Sequence, residues 1–280
     1  LITAGFDPER TVELIDAARL DTFFGVPAVY QAISEHERFD ALDLGSVRRW
    51  GCGGAPLPDA MFRRFAERGA TVLNGMGMTE TGPTAFLMDP RNAHRKIGSV
   101  GKPQLLCAVR LVDADERDVP PGEIGEIWFS GPGITPGYYN RPAETAAART
   151  ADGWLRSGDL GRRDEDGYYY VAGRLKDMYI SGGENVYPAE IENELAAHAD
   201  VLEAAVTGVP DERWGEVGCA WLLARPGREL PGDAALAAWL RRRLAAYKVP
   251  KHFVTLDEFP RTAAGKVQKH LLRRPAEEDH

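Results

Sequence analysis

The apolar pattern of this chain changes twice, and each change narrows the folds open to it. Up to about residue 95, runs of β-branched and aromatic residues alternate with stretches of helical period, bounded by proline or glycine. The order predicts a helix over 8–20 with Asp7 as N-cap and Pro8 at the first position, then a buried strand over 22–25 and a helix opening at Pro27. A strand over 47–52, a helix after Pro58 and a strand over 71–74 follow. Alternation of this kind builds α/β layers. From 97 to 171 the runs shorten to 109–112, 124–130 and 168–171, the last after an Asp166-Gly167 turn, which predicts a small, barrel-like antiparallel β unit. Beyond Arg174-Leu175-Lys176-Asp177 the pattern mixes again, with helices over 188–198 and 233–244 and strands over 204–209 and 217–224. Leu236, Leu240 and Leu244 give the last helix its apolar stripe, and Arg241, Arg242 and Arg243 read as its solvated flank. The expected division is therefore 1–175, with α/β layers to about 95 and the β unit from about 96, and a separate α+β domain over 176–280.

The 280 residues are 44% hydrophobic, enough for a real core. Their 34 basic and 42 acidic residues leave a formal charge of -8, which speaks against a phosphate-backbone binder, so nucleic acid is not an expected partner. Cys52, Cys107 and Cys219 are scattered and odd in number, which points to neither a disulfide framework nor a zinc site and fits a cytoplasmic setting. No apolar run nears the roughly 20 residues of a membrane span, so a soluble protein without integral membrane contact is expected. The opening Leu1-Ile2-Thr3-Ala4 reads as a chain entered midway, and Pro275 to His280 as a frayed tail.

Five segments have the composition of ligand-handling turns. Trp50-Gly51-Cys52-Gly53-Gly54-Ala55-Pro56 ends a strand in glycines, where a flat ligand can approach the backbone; a plain tight turn explains it as well. Asn74-Gly75-Met76-Gly77-Met78-Thr79-Glu80 sets small residues beside a hydroxyl and a carboxylate, suited to a phosphate oxygen and a hard Mg²⁺, although Thr79 and Glu80 would also start a helix. Asp159, on an expected tight turn in Ser157-Gly158-Asp159-Leu160, has the acceptors a vicinal diol needs, and Arg174 offers a donor fork. Gly182-Gly183 sits in Ser181 to Pro188, and Lys266 closes Pro260-Arg261-Thr262-Ala263-Ala264-Gly265-Lys266, a loop expected to run into a short helix. Gly98 to Pro103 fails as a Walker A loop: Lys96 stands where its first glycine belongs and Pro103 where the Ser or Thr does.

In this order, with Gly122-Glu123-Ile124-Gly125-Glu126-Ile127 and Gly137-Tyr138-Tyr139-Asn140-Arg141-Pro142 between them, the segments resemble the C-terminal half of the acyl-CoA synthetases of the adenylate-forming superfamily (AMP-binding enzymes). The resemblance runs nearly end to end. It implies the C-terminal part of a large N-terminal α/β domain with a β subdomain, followed by a small mobile α+β lid. It also implies an acid:CoA ligase that converts a carboxylic acid and ATP to an acyl-adenylate with Mg²⁺, then transfers the acyl group to CoA. Gly53, Gly54, Ala55, Asn74, Gly75, Met76 and Gly77 would form the nucleotide site, Thr79 would meet the phosphates, and Glu80 would hold Mg²⁺. Asp159 and Arg174 would bind the ribose, Lys176 would be the hinge, and Lys266 would bridge the acid and the α-phosphate. Gly182, Gly183, Trp214, Tyr247 and Lys251 would serve CoA. Two departures stand out: Met76 replaces the family's usual aromatic residue, and its upstream phosphate loop is not among these residues, so the chain alone is expected to adenylate poorly. A fatty acid is the first expectation for the substrate and an aryl acid such as a cinnamate the second. A peptide-synthetase adenylation domain, a luciferase-like oxygenase, a non-catalytic nucleotide-binding remnant and a homodimer all stay open.

Overall fold

The computed structural model describes residues 5–262 and 265–272; the opening Leu1 to Ala4, the Ala263-Ala264 pair and the tail from Pro275 lie outside the described residues. The chain divides into two compact units, Leu1–Val171 and Ala172–His280.

In the first unit, α1 (Pro8–Asp16), β1 (Thr22–Gly25), α2 (Pro27–Ser34), β2 (Arg49–Cys52), α3 (Asp59–Ala66), β3 (Val72–Met78), β4 (Gly82–Leu87) and β5 (Lys102–Pro103) follow one another. Asp7 caps α1 as expected, its carboxylate accepting the Glu9 N–H at 3.0 Å. The helix stops before residue 20 because Ala18 turns left-handed (φ 49°) and the Arg19 N–H reaches back to Leu14 O at 3.0 Å. The five strands form one mixed sheet in sequence order, parallel through β1, β2 and β3 and antiparallel after that. Phe23, Tyr30, Trp50 and Phe65 interlock at ring distances of 5.0 to 6.2 Å in the core beneath it. Strand β6 (Ala108–Val112), β7 (Gly125–Ser130), helix α4 (Pro142–Ala147), β8 (Leu155–Arg163) and β9 (Tyr169–Arg174) come next. The β unit is an open four-stranded sheet ordered β6-β7-β8-β9 and does not close into a barrel among the described residues.

The second unit contains β10 (Tyr179–Ser181), β11 (Glu184–Val186), α5 (Pro188–Ala196), β12 (Val201–Asp211), β13 (Gly215–Ala224), α6 (Asp233–Arg241) and β14 (His252–Thr255). Its sheet runs β11-β10-β13-β12, with β14 parallel to β13. Strand β13 is buried on both faces: Ala220 and Leu222 meet Ile191, Leu195, Leu236 and Leu240, while Cys219 and Trp221 meet Phe259 and Leu272. Helix α6 ends at Arg241, and Arg241, Arg242 and Arg243 are all exposed as expected, the Arg243 guanidinium also lying 3.5 Å from the Trp239 ring centroid and 3.4 Å from Glu194. No helix among the described residues is long and apolar enough to cross a membrane.

Tyr179 fills the space that two glycines leave: a Cβ on Gly208 would lie 2.5 Å from its Cβ, and one on Gly218 would lie 2.5 Å from its hydroxyl. Burial raises its pKa well above the usual range, and its buried hydroxyl has no hydrogen-bond partner among the described residues. Replacing an unpaired buried hydroxyl by hydrogen removes a desolvation cost of about 1 kcal/mol. Tyr179→Phe is expected to raise stability by about that much, read as a higher urea midpoint at unchanged slope.

Candidate functional site

Strand β3 does not stop at Asn74 but runs on through the glycines to Met78, because β4 pairs with it as a hairpin (Gly75 with Leu87, Met76 with Phe86, Met78 with Gly82). Thr79 and Glu80 therefore sit in the turn between β3 and β4, with no helix start there. Thr81 fastens this turn: its hydroxyl accepts the Met78 N–H at 3.0 Å and donates to Gly82 O at 3.2 Å. Glu80 is held from two sides by one segment. Its carbonyl accepts the Thr135 N–H at 2.8 Å, and its carboxylate accepts the Tyr138 hydroxyl at 2.8 Å. That hydrogen bond raises the Tyr138 pKa. Tyr138 also lines an open cleft of about 740 Å³ with Gly137, Tyr139, Thr145 and Arg149.

At the carboxyl ends of the parallel strands, glycines stand where side chains would be on one face of the sheet. Gly51 and Gly53 lie under the ring of Phe24, each with room for a Cβ only 3.1 Å from that ring, and Gly53 abuts the Gly75 carbonyl. Phe24 itself is 68% exposed. Gly53 is buried, Gly54 (φ 84°) and Ala55 lead away exposed, and Asn74 is buried in register with Cys52. The exposed Phe24 ring, seated over these glycines, offers a surface that suits a flat, partly apolar ligand.

Asp159 lies inside β8, not on a tight turn. Gly158 (φ 71°) makes a bulge against β7, where its N–H donates to the Glu126 carboxylate at 2.9 Å. Glu126 is oriented in turn by the Trp128 indole N–H at 2.9 Å. This places the Asp159 residue at 9% exposure at the end of the bulge.

In the second unit Arg174 is exposed at the end of β9, and Lys176 is exposed in the single turn Leu175–Asp177. Gly182 and Gly183 form the two-residue turn joining β10 to β11, with φ of 60° and 90°, the conformation glycine permits in a tight hairpin. Gly182 lies against Trp214: a Cβ there would meet the ring at 2.7 Å. Lys251 stands 5.4 Å from the same ring and donates to Asp211 at 3.1 Å. The Trp214 N–H and then Lys251 hold the Asp211 carboxyl below its usual range. Tyr247, 41% exposed, sits in the turn Ala246–Lys248. Lys266 is exposed on its own loop.

The residues expected from sequence thus gather in groups: Gly53, Asn74 and Gly75 on neighbouring strand ends, Thr79 and Glu80 in the turn beyond β3, Gly182 with Trp214 and Lys251, and Lys266 on its own loop. Tyr138, Glu126, Thr81 and Phe24 were not singled out by sequence. Tyr138 carried a signal in its place in the Gly137 to Pro142 segment, and Glu126 in its place in the Gly122 to Ile127 segment.

Two family models match: that of the AMP-binding enzymes over residues 2–139 and that of the AMP-binding enzyme C-terminal domain over 190–266. The chain belongs to the AMP-binding enzyme family. A feruloyl-CoA synthase of Amycolatopsis sp. is 47% identical over 274 residues, 98% of this chain and 55% of that protein. An indoleacetate–CoA ligase of Aromatoleum aromaticum is 42% identical over 269 residues, 96% of this chain and 52% of that one. Among solved structures, the o-succinylbenzoate CoA synthetase of Bacillus subtilis in complex with its acyl-adenylate intermediate superposes with a TM-score of 0.85 at 33% identity, over 96% of this chain and 54% of that one. The chain spans about half the length of the curated relatives it matches, and this membership gives the α/β fold with its β subdomain and following α+β unit their family context.

Proposed function

We propose that this chain belongs to an ATP-dependent, AMP-forming acid:CoA ligase acting on an aryl acid. The carrying observation is the near end-to-end similarity to relatives named for feruloyl and indoleacetate substrates. Their names favour the aryl acid over the fatty acid, and the exposed Phe24 ring over Gly51 and Gly53 suits a flat ring of either the acid or the nucleotide.

In this reading Gly53, Gly54, Ala55, Asn74, Gly75, Met76 and Gly77 hold the nucleotide, Thr79 meets the phosphates, and Asp159 and Arg174 take the ribose. Glu80 fits a magnesium ion that arrives with the nucleotide. Among the described residues no three acidic, histidine or cysteine side chains cluster into a cage, and such a cation needs only one or two carboxylates besides phosphate oxygens. Bound there, Mg²⁺ would neutralise phosphate charge. The acid's carboxylate attacks the α-phosphorus, pyrophosphate leaves, and the Lys266 ammonium offsets the charge of the two meeting anions. The second unit then turns at Lys176 as a lid, and Gly182, Gly183, Trp214, Tyr247 and Lys251 receive CoA, whose thiol displaces AMP. A cytoplasmic setting, where ATP and CoA are both at hand, fits this reading.

The test is AMP release from Mg-ATP by the full-length protein with ferulate, indoleacetate or a medium-chain fatty acid, with and without CoA. An aryl acid should give AMP and the matching thioester. A fatty acid turned over faster than every aryl acid overturns the substrate, and no acid-dependent AMP at all overturns the ligase reading. Within the same assay Tyr138→Phe, which removes only the hydrogen bond to Glu80, should raise the Mg²⁺ concentration for half-maximal rate by about threefold to tenfold, the net worth of an ordinary exposed hydrogen bond.

A further inference from the structure

The loop that carries Lys266 leaves and rejoins the same sheet face. Phe259 and Leu272 are buried against Cys219 and Trp221 of β13, with Val267 partly buried beside them. Between these apolar feet the chain folds back on itself. Arg261 and Val267 pair antiparallel, the Gln268 N–H donates to Pro260 O at 2.8 Å, and the Thr262 N–H donates to Lys266 O at 2.8 Å. The Lys266 N–H donates to the Thr262 hydroxyl at 3.1 Å, and Gly265 turns the tip at φ 80°.

Each shoulder of this fold-back is tied by an ion pair to a different element. Arg261 reaches Glu203 on β12 with one nitrogen and donates to Gly265 O at 3.0 Å with another. Lys269 reaches Glu192 on α5 at 2.6 Å, and the Glu192 carboxylate is itself fixed by the Val206 N–H at 2.7 Å. All four side chains are at most 34% exposed, so these pairs are less screened than open surface pairs.

We infer that Glu203–Arg261 and Glu192–Lys269 are positioning pairs that present the Lys266 ammonium as a preformed charge. The inference rests on the reading that Lys266 serves adenylate formation. Its physical basis is that a charge stabilises a transition state only if it is already aimed when the reaction begins; on a loose loop the ordering would be spent in every turnover, and a misplacement of about 1 Å can cost up to a hundredfold. Phe259 and Leu272 hold the feet without the ion pairs, so loss of a pair loosens the loop and leaves the fold standing.

The test compares Glu203→Gln, Lys269→Met and Lys269→Arg in the full-length protein. In the first two, kcat for adenylate formation should fall about tenfold at little-changed KM for ATP, while thioester formation from supplied acyl-adenylate and CoA stays within about twofold. Lys269→Arg keeps the pair and should retain most of the rate. Amide hydrogen exchange at Gly265, Lys266 and Gln268, which needs no substrate, should speed up in Glu203→Gln and Lys269→Met only. Unchanged exchange in both overturns the staple, and fast exchange with full adenylation, or equal loss of both half-reactions, overturns the positioning role. A wild-type protein that makes no AMP overturns the ligase reading and the positioning role with it, while exchange still decides whether the pairs hold the loop.

Discussion

Lys266→Ala is expected to slow adenylate formation by about a hundred- to a thousandfold, the range for losing one preorganised electrostatic contact at a reacting centre. Thioester formation from supplied acyl-adenylate and CoA should stay within about threefold, because in that step the thiol attacks the acyl carbonyl and not the α-phosphorus that Lys266 serves. The substitution is clean in structural terms. The Lys266 side chain is exposed, and the hydrogen bonds that fasten the residue use its backbone N–H and carbonyl, both of which alanine keeps. Stability should therefore change by no more than about 0.5 kcal/mol. Pyrophosphate exchange reads the first half-reaction and single-turnover thioester formation the second. If both fall together, Lys266 is not confined to the adenylation step and the division of labour between it and the CoA-facing residues is wrong.

What the sequence could and could not show follows from the range of the forces involved. Asp7 and Pro8 marked the start of α1 because a cap is satisfied within three residues. The length of the same helix was overestimated because it is closed by Ala18, a residue that gives no hint of a left-handed turn. Glycine's poor strand propensity hid the passage of β3 through Gly75 and Gly77; the pairing that stabilises it comes from β4, the returning arm of the hairpin. Asp159 looked like a turn residue beside Gly158, yet that glycine's positive φ serves a bulge within a strand already paired to β7. The stripe of Leu236, Leu240 and Leu244 suggested a longer α6 than the one that forms, and the contacts of the exposed Arg243 with Trp239 and Glu194 belong to a packing not visible in a local pattern. The order of the ligand-handling segments was legible as a family pattern. The contact of Tyr138 with Glu80 was not, since 58 residues separate the two.

A large effect on stability is expected at Gly77. A Cβ on this residue would lie 2.4 Å from Pro83 O, 2.5 Å from Pro83 C and 2.6 Å from Gly82 O. These are backbone atoms of the returning strand, so no side-chain rotation relieves the overlap and β4 itself has to move outward. Overpacking of this kind costs about 1–3 kcal/mol, and a clash with backbone on both residues belongs at the upper end. The displacement cannot stay local. Met78 is tied to Thr81 across the turn, and Glu80 is tied to Thr135 and Tyr138, so moving β4 strains the bonds that aim the Glu80 carboxylate. Gly77→Ala should thus lower the urea midpoint by the equivalent of about 3 kcal/mol and, at temperatures where the variant is still folded, reduce adenylation more than thioester formation. Gly82→Ala separates space from conformation: its φ of 80° strains alanine, but nothing lies within 4 Å of the added carbon, so its cost should be nearer 1–2 kcal/mol. Should the two variants prove equally stable, the close approach of β3 and β4 at Gly77 is not what shapes the turn that presents Glu80.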